Sequence, residues 1–430
     1  MENLHHIVVV GGGAGGLELA TRLGNSLGRK GKAEIILVDA TMTHLWKPRL
    51  HEVAAGAINA NLDELNYVAH AKNHGFRFVL GRMCNLDRLT KHIQLEAYEV
   101  NGKEVLAPRS IKYDKLVIAV GSQTNDFGTK GASDHCVFLD KRDSAEKFHS
   151  LFIDTYLAAS NDESKRHCRV SIIGAGATGV ELAAELVHSA KELVSYGFDG
   201  IKPDDLKVSI IEASDRVLPV LSEKSSAAIL RQLKKIGIEV LTEEMVTEVT
   251  DKGLHTKSGH FIEGDLQVWS AGVKAPAFLG SLGLESNRIN QLVVKPTLQC
   301  VDDDSIFAFG DCAQCSIVGT KMFVPPRAQS ASQQATLLAK NLKRSINSKE
   351  LLDFKYKDKG SLISLSKHSS VGQIMGNLSK DFTFEGKVAR WLYISLYRMH
   401  QLVLHGYLHT ALLVVRDRLN RRTGPKLKLH

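Results

Sequence analysis

The chain has 430 residues, 43% of them hydrophobic and 24% charged, with a formal net charge of +8. That length predicts two to four domains with ample core, and the composition is that of a globular protein rather than a disordered one. The stretch closest to a membrane span, residues 399–415, contains three histidines and falls short of the ~20 apolar residues a bilayer requires.

The chain opens with an acidic, His-containing lead and no basic segment, so no signal peptide is expected. Ile7-Val8-Val9-Val10 predicts a buried strand. Gly11-Gly12-Gly13-Ala14-Gly15-Gly16 follows it directly and fits G-x-G-x-x-G. The first glycine permits a tight turn, the second lets backbone approach a pyrophosphate, and the third lets the following helix pack close. Residues 35–38 predict the next strand, ending in Asp39, an acid placed for a ribose hydroxyl. Residues 76–105 alternate short strands with turns and predict an antiparallel crossover piece. Residues 113–121 read as a buried strand ending on Gly121, and residues 141–157 as a helix. Residues 161–167 read as a polar linker.

The plan then repeats. Val170-Ser171-Ile172-Ile173 predicts a strand, followed by Gly174-Ala175-Gly176-Ala177-Thr178-Gly179 and, after a loop expected over residues 198–205, by a strand ending in Glu212. No basic residue directly follows Glu212, which favours NADH over NADPH, although Arg216 is close. Residues 266–272 close this second unit on Gly272. One such loop is a weak signal. Two, each with strand, helix and acid, imply two dinucleotides in one protein. Residues 306–311 predict a further strand ending in Asp311, and Pro325-Pro326-Arg327 opens a helix with proline at its first position.

The six cysteines are scattered apart from Cys312 and Cys315, and are expected to be reduced thiols. Two further zinc ligands at suitable spacing are missing, so no metal site is expected. Buried or idle thiols are favoured over a redox dithiol.

Charge is uneven. Lys387, Arg390, Arg398, Arg416, Arg418, Arg421, Arg422, Lys426 and Lys428 face a single acid, Asp417, so the last tenth of the chain carries the whole excess. Val388, Leu392, Leu396, Met399 and Val403 form one helical stripe. After Gly406, Leu408, Ala411, Leu412, Val415 and Leu419 form another at i, i+3, i+4, i+7 and i+11. This reads as an amphipathic segment on an anionic lipid surface. A dimerisation helix pair is compatible with the same pattern. Nucleic acid is disfavoured, because no aromatic–basic interleaving is present.

These residues resemble the two-dinucleotide flavoproteins of the glutathione-reductase fold, and closely the type II NADH:quinone oxidoreductases. The resemblance covers nearly the whole chain. It rests on Gly11 to Gly16 with Asp39, on His44-Leu45-Trp46-Lys47-Pro48-Arg49-Leu50-His51-Glu52-Val53-Ala54, on Gly121 and Gly272, on Gly174 to Glu181, on Phe309-Gly310-Asp311, and on Ala328-Gln329-Ser330-Ala331-Ser332-Gln333. The last matches that family's A-Q-x-A-x-Q pattern.

The resemblance implies an α/β fold with two Rossmann-like domains and a C-terminal amphipathic segment. The FAD-binding domain would comprise residues 1–122 and 290–385, the NADH-binding domain 123–289, and the membrane segment 386–430. Tightly bound, non-covalent FAD would occupy the first fingerprint, with Gly11, Gly13, Ala14, Gly15, Gly16, Asp39, Gly121, Asp311 and Ala328 about it. NADH would use Gly174, Gly176, Gly179, Glu212 and Gly272. Glu181 would act near flavin and nicotinamide, with Glu185 a weaker candidate on the same face. Gln329 and Gln333 would serve the quinone, and Lys47 and His51 would lie near the flavin. The implied activity is respiratory NADH dehydrogenation with two-electron reduction of a membrane quinone and no proton pumping, on the cytoplasmic face of the inner (plasma) membrane. The alternative is a soluble NAD(P)H-dependent reductase of a small redox protein.

Overall fold

The computed structural model describes residues 4–161, 167–196, 202–365, 369–374, 382–385, 387–423 and 427. Residues 162–166 of the linker expected over 161–167 and residues 198–201 of the loop expected over 198–205 lie outside these residues, as do Lys426 and Lys428 of the tail, while Pro203–Asp205 of that loop forms a single helical turn. The chain divides into two compact units. One comprises residues 1–46, 64–123 and 273–357, the other residues 47–63, 124–272 and 358–430.

The first unit is built on an eight-stranded sheet. Its parallel centre runs, in spatial order, Asp303–Ala308, Lys115–Ile118, His5–Val10, Ala33–Asp39 and Arg77–Leu80. Ile7, Val8 and Val9 are fully buried, as expected for a strand covered on both faces. Arg77–Leu80 departs from the expected antiparallel piece. The helix Tyr67–His74 precedes it and returns the chain to the same sheet edge, so the strand enters parallel. The antiparallel sheet begins after it, with Met83–Asp87, His92–Leu95 and Arg109–Lys112.

The second unit repeats this plan with five parallel strands: Cys136–Phe138, Leu266–Trp269, Cys168–Ile173, Leu206–Ile211 and Glu239–Leu241. The repetition extends to single bonds. Gly11 N–H donates to the Val38 carbonyl and Gly174 N–H to the Ile211 carbonyl, both at 2.8 Å. Gly11 and Gly174 take φ of 101° and 103°, a region open to glycine. A Cβ at Gly16 would lie 1.9 Å from the Gly11 carbonyl oxygen, and one at Gly179 would lie 2.1 Å from that of Gly174. The first and last glycines of each fingerprint are therefore demanded by the protein's own backbone.

The second unit also holds a small antiparallel sheet, Ser361–Leu365, Ser369–Ile374 and Phe382–Glu385, against which the tail helix Lys387–Thr423 packs. Gly406 breaks that helix with φ 74° and ψ 178°, between the two apolar stripes read from the sequence. Arg398 and Asp417 join the two halves at 2.7 Å. Among the described residues no helix is long and apolar enough to cross a membrane.

Candidate active site

Each fingerprint opens a helix whose N-terminus has no side-chain cap. Gly13 caps Ala14–Ser26 and Gly176 caps Ala177–Ser195, and neither helix has an acid in its first turn. By contrast, Asn66 and Ser222 cap the helices Tyr67–His74 and Glu223–Lys235 through their side chains. The fingerprint helices thus offer orphan N–H donors at a positive dipole end, which suits a pyrophosphate. Space agrees, since a Cβ at Gly13 or Gly176 would meet nothing within 4 Å. The residues present therefore fit two dinucleotides.

The strand-end acids play matching parts. Asp39 accepts the Gly12 N–H at 2.6 Å and the Thr41 N–H and hydroxyl at 2.9 and 2.8 Å. Glu212 accepts the Ala175 N–H at 2.7 Å and the Ser214 N–H at 2.8 Å. Each carboxylate pins the second residue of its loop and has lone pairs left for a ribose hydroxyl. Arg216 is drawn to its own surroundings. It lies 3.6 Å from Glu223 and 3.9 Å from Asp215, and donates to the Pro219 carbonyl at 3.2 Å. Gly121 and Gly272 both sit in the left-handed region after their strands, at φ 71° and 67°.

Asp311 lies in the single helical turn Gly310–Cys312. Its carboxylate accepts the Ser122 hydroxyl at 2.8 Å, and its carbonyl accepts the Gln291 amide at 2.9 Å. The helix Ala328–Ile346 begins with Ala328, and Arg327 is its extended N-cap. Pro325 and Pro326 thus precede the helix rather than occupying its first position. Instead, the Pro325 carbonyl accepts the Ser330 hydroxyl at 2.8 Å.

Gln329 and Gln333 stand one turn apart on this helix, but the Gln333 amide is engaged at both ends. It donates to the Lys357 carbonyl at 2.9 Å and accepts the Lys357 N–H at 3.1 Å. The next residue was missed by sequence reasoning. Gln334 is buried and holds the Gly310 N–H at 2.9 Å, beside Asp311. Its signal was the i, i+3, i+4, i+7 set Ala331, Gln334, Ala335, Leu338, a core-facing stripe with one polar member.

In the second unit, Glu181 and Glu185 are both buried on the fingerprint helix. The segment around His51 contains a short helix, Leu50–Ala54, which packs against that helix and against Arg142–Asn161. It brings His51 Nδ1 to 3.5 Å from the Glu181 carboxylate. The Ser364 N–H donates to Glu181 at 2.9 Å. Burial pushes the Glu181 carboxyl well above the usual range; the Ser364 bond opposes this, and Glu52 and Glu185 add to it. Burial also drives His51 down to about 4, and its Nε2 has no hydrogen-bond partner among the described residues. Lys47 lies 3.6 Å from Asp140. Neighbouring Arg49 pairs with Glu52 and Asp63 at 2.8 and 3.3 Å, and lies 4.7 Å from the Tyr397 ring centre in the tail helix.

Cys312 and Cys315 are buried, and burial pushes both thiols up to about 11. At neutral pH they are protonated and poor nucleophiles. No cluster of three or more metal-ligating side chains occurs among the described residues.

These shifts set an acid sensitivity. His51 and His44 both fall from 6.5 to about 4 through burial, with a bond to the Gly12 main chain opposing the shift at His44. Stability held by neutral rings is full above about pH 6.5 and is lost towards pH 4, at about 3 kcal/mol per ring. Glu181 works in the opposite sense, because the folded chain keeps a proton the unfolded chain has released. Two rings outweigh one carboxyl, so stability falls on acidification through that window. His51→Asn should make denaturant midpoints less dependent on pH between about 6.5 and 4.5. A slope as steep as that of the unmodified chain would contradict these ring assignments.

Comparison with known proteins follows the same lines. The pyridine nucleotide-disulphide oxidoreductase family model matches residues 5–335. A type II NADH:quinone oxidoreductase of Haemophilus influenzae is 46% identical, over 99% of this chain and 100% of that protein. The type II NADH:quinone oxidoreductase NdhA of Mycobacterium tuberculosis is 29% identical, over 86% and 79% of the two chains. Among solved structures, NDH2 of Plasmodium falciparum in complex with NADH superposes with a TM-score of 0.83 at 19% identity, covering 99% of this chain and 100% of that one. At that identity the likeness speaks for the fold.

Proposed function

The chain belongs to the pyridine nucleotide-disulphide oxidoreductase family and, within it, to the type II NADH:quinone oxidoreductases, and from that premise we propose that it is a membrane-associated respiratory NADH dehydrogenase. The observation that carries this reading is 46% identity from end to end, in a chain that builds the dinucleotide fold twice. FAD, when bound, would supply the two-electron redox chemistry that links NADH to a membrane quinone, without proton pumping.

The chain's own residues bind, orient and handle a proton. Gly11, Gly13, Ala14, Gly15 and Gly16 with Asp39, Gly121, Asp311 and Ala328 are assigned to FAD. Gly174, Gly176, Gly179, Glu212 and Gly272 are assigned to NADH. The open space at Gly13 and Gly176 and the uncapped helix starts support both assignments. The net reaction of NADH with quinone takes up one proton. The buried Glu181 carboxyl, beside His51, suits the group that holds it. Gln329 is assigned to the quinone carbonyl. Gln333 is assigned to the same carbonyl, its amide also fixing the Lys357 main chain.

We assign residues 387–430 to an anionic lipid surface on the cytoplasmic face, where the inner leaflet is negative. Leu408, Ala411, Leu412, Val415 and Leu419 are all exposed, so the second stripe turns away from its own fold. A homodimer through that stripe is the competing use. Leu408→Ser with Leu412→Ser keeps the Arg398–Asp417 pair and should weaken binding to anionic vesicles by about tenfold per residue. Unchanged vesicle binding with loss of a dimer would favour the homodimer. The activity itself is tested by NADH oxidation with a short-chain quinone. Rapid quinone reduction is expected, and electrons passing only to a small redox protein would overturn the reading.

A further inference from the structure

The two glycine loops share their strand-end and acid bonds and differ in two places: the Gly174 carbonyl accepts the Ser270 hydroxyl at 3.1 Å, where the first loop has Ala119, and the second residue is held differently. In the first loop this is Gly12. Its N–H is held by Asp39, and its carbonyl accepts the Tyr67 hydroxyl at 2.7 Å and is also hydrogen-bonded by His44. Tyr67 is 2% exposed. It starts the helix Tyr67–His74, which Asn66 caps, and its ring stacks on Phe78 at 5.1 Å. A Cβ on residue 12 would lie 2.4 Å from the Tyr67 hydroxyl oxygen, so this tyrosine requires glycine there.

In the second loop the corresponding residue is Ala175, which carries that Cβ. Its N–H is held by Glu212, and its carbonyl accepts the Leu218 backbone N–H at 3.0 Å. Leu218 lies outside any helix or strand, in left-handed backbone at φ 49°. At the carbonyl of this residue one loop is thus tied by a buried side chain to a capped helix, and the other by main chain to an irregular segment.

We propose that Tyr67, with His44, is a latch that holds the first glycine loop in its binding shape and makes the dinucleotide there resident, while the second loop, built without it, exchanges its own. The inference rests on the assignment of FAD to the first loop. Its physical basis is preorganisation. A loop already fixed in the bound geometry loses less conformational freedom on binding, and its ligand leaves more slowly. Tyr67 and His44 act through the Gly12 main chain and are positioning residues.

The test is flavin release from the purified full-length holoprotein, followed as the fluorescence of freed FAD after dilution. Tyr67→Phe should release flavin about tenfold faster or more, the factor set by one lost buried hydrogen bond. NADH affinity, read by flavin bleaching, should not change. Tyr113→Phe is the control, because Tyr113 is fully buried in the same unit and its hydroxyl has no partner among the described residues. His44→Leu removes the second bond to the same carbonyl, should accelerate release in the same direction, and serves if Tyr67→Phe fails to fold. Hydrogen exchange in the Tyr67→Phe holoprotein should quicken over residues 11–16 and not over residues 174–179. Wild-type release from the Tyr67→Phe and His44→Leu variants, or equal acceleration by Tyr113→Phe, overturns the latch alone. An unmodified chain unable to hold FAD overturns the cofactor assignment and the latch together.

Discussion

Gly13→Val should yield a folded chain without flavin, and Gly176→Val a folded, flavin-bearing chain that binds NADH on the order of 100-fold more weakly. The argument turns on what demands glycine at each position. At Gly11, Gly16, Gly174 and Gly179 an added Cβ strikes the protein's own backbone within 3 Å, so substitution there damages the fold. At Gly13 and Gly176 it meets nothing within 4 Å, and the backbone is extended with φ of −61° and −71°, conformations any residue adopts. The protein needs no glycine at either place. The ligand does, because a side chain there keeps the pyrophosphate away from the helix N–H groups. The fold should lose only about 1 kcal/mol for a poorer N-cap. Absorbance of the purified variants and their thermal midpoints check this. A Gly13→Val chain that keeps flavin would contradict the assignment, as would a Gly176→Val chain with unaltered NADH affinity.

Glu181→Gln should slow quinone reduction on the order of 100-fold while making the fold more stable in alkaline solution. A carboxyl whose folded pKa is raised contributes stability below its unfolded value near 4.5, and that stability is lost as pH rises through the folded value. Glutamine never ionises, so the variant escapes this loss. Unmodified and variant chains should have similar denaturant midpoints near pH 4 and diverge above it, the variant being the more stable. The Ser364 N–H still finds an acceptor in the glutamine carbonyl. A variant less stable at every pH would mean that the Ser364 bond to a carboxylate outweighs burial. Full quinone reduction by the variant would remove Glu181 from the proton path.

How far the sequence alone reaches is clear from particular residues. The two fingerprints were legible because strand, glycine spacing and acid are local; that Asp39 and Glu212 also hold the second residue of each loop was not read from the sequence. The break at Gly406 was legible because two apolar stripes changed phase across it. Contacts between distant segments were not. Tyr67 reaches Gly12 across 55 residues, and His51 reaches Glu181 across more than twice that distance. No periodicity records such pairs. The bonds of Gln333 to Lys357 were not legible either, because its helix face is visible in the sequence and a partner 24 residues away is not. Arg77–Leu80 was assigned to an antiparallel piece because a four-residue strand looks the same in either sheet.

An anaerobic titration of the purified chain, followed by its visible spectrum, bears on the whole scheme. The unmodified protein should show a flavin spectrum, bleach stoichiometrically with NADH, and recover when a short-chain quinone is added. No flavin spectrum, or bleaching that quinone cannot reverse, would contradict it.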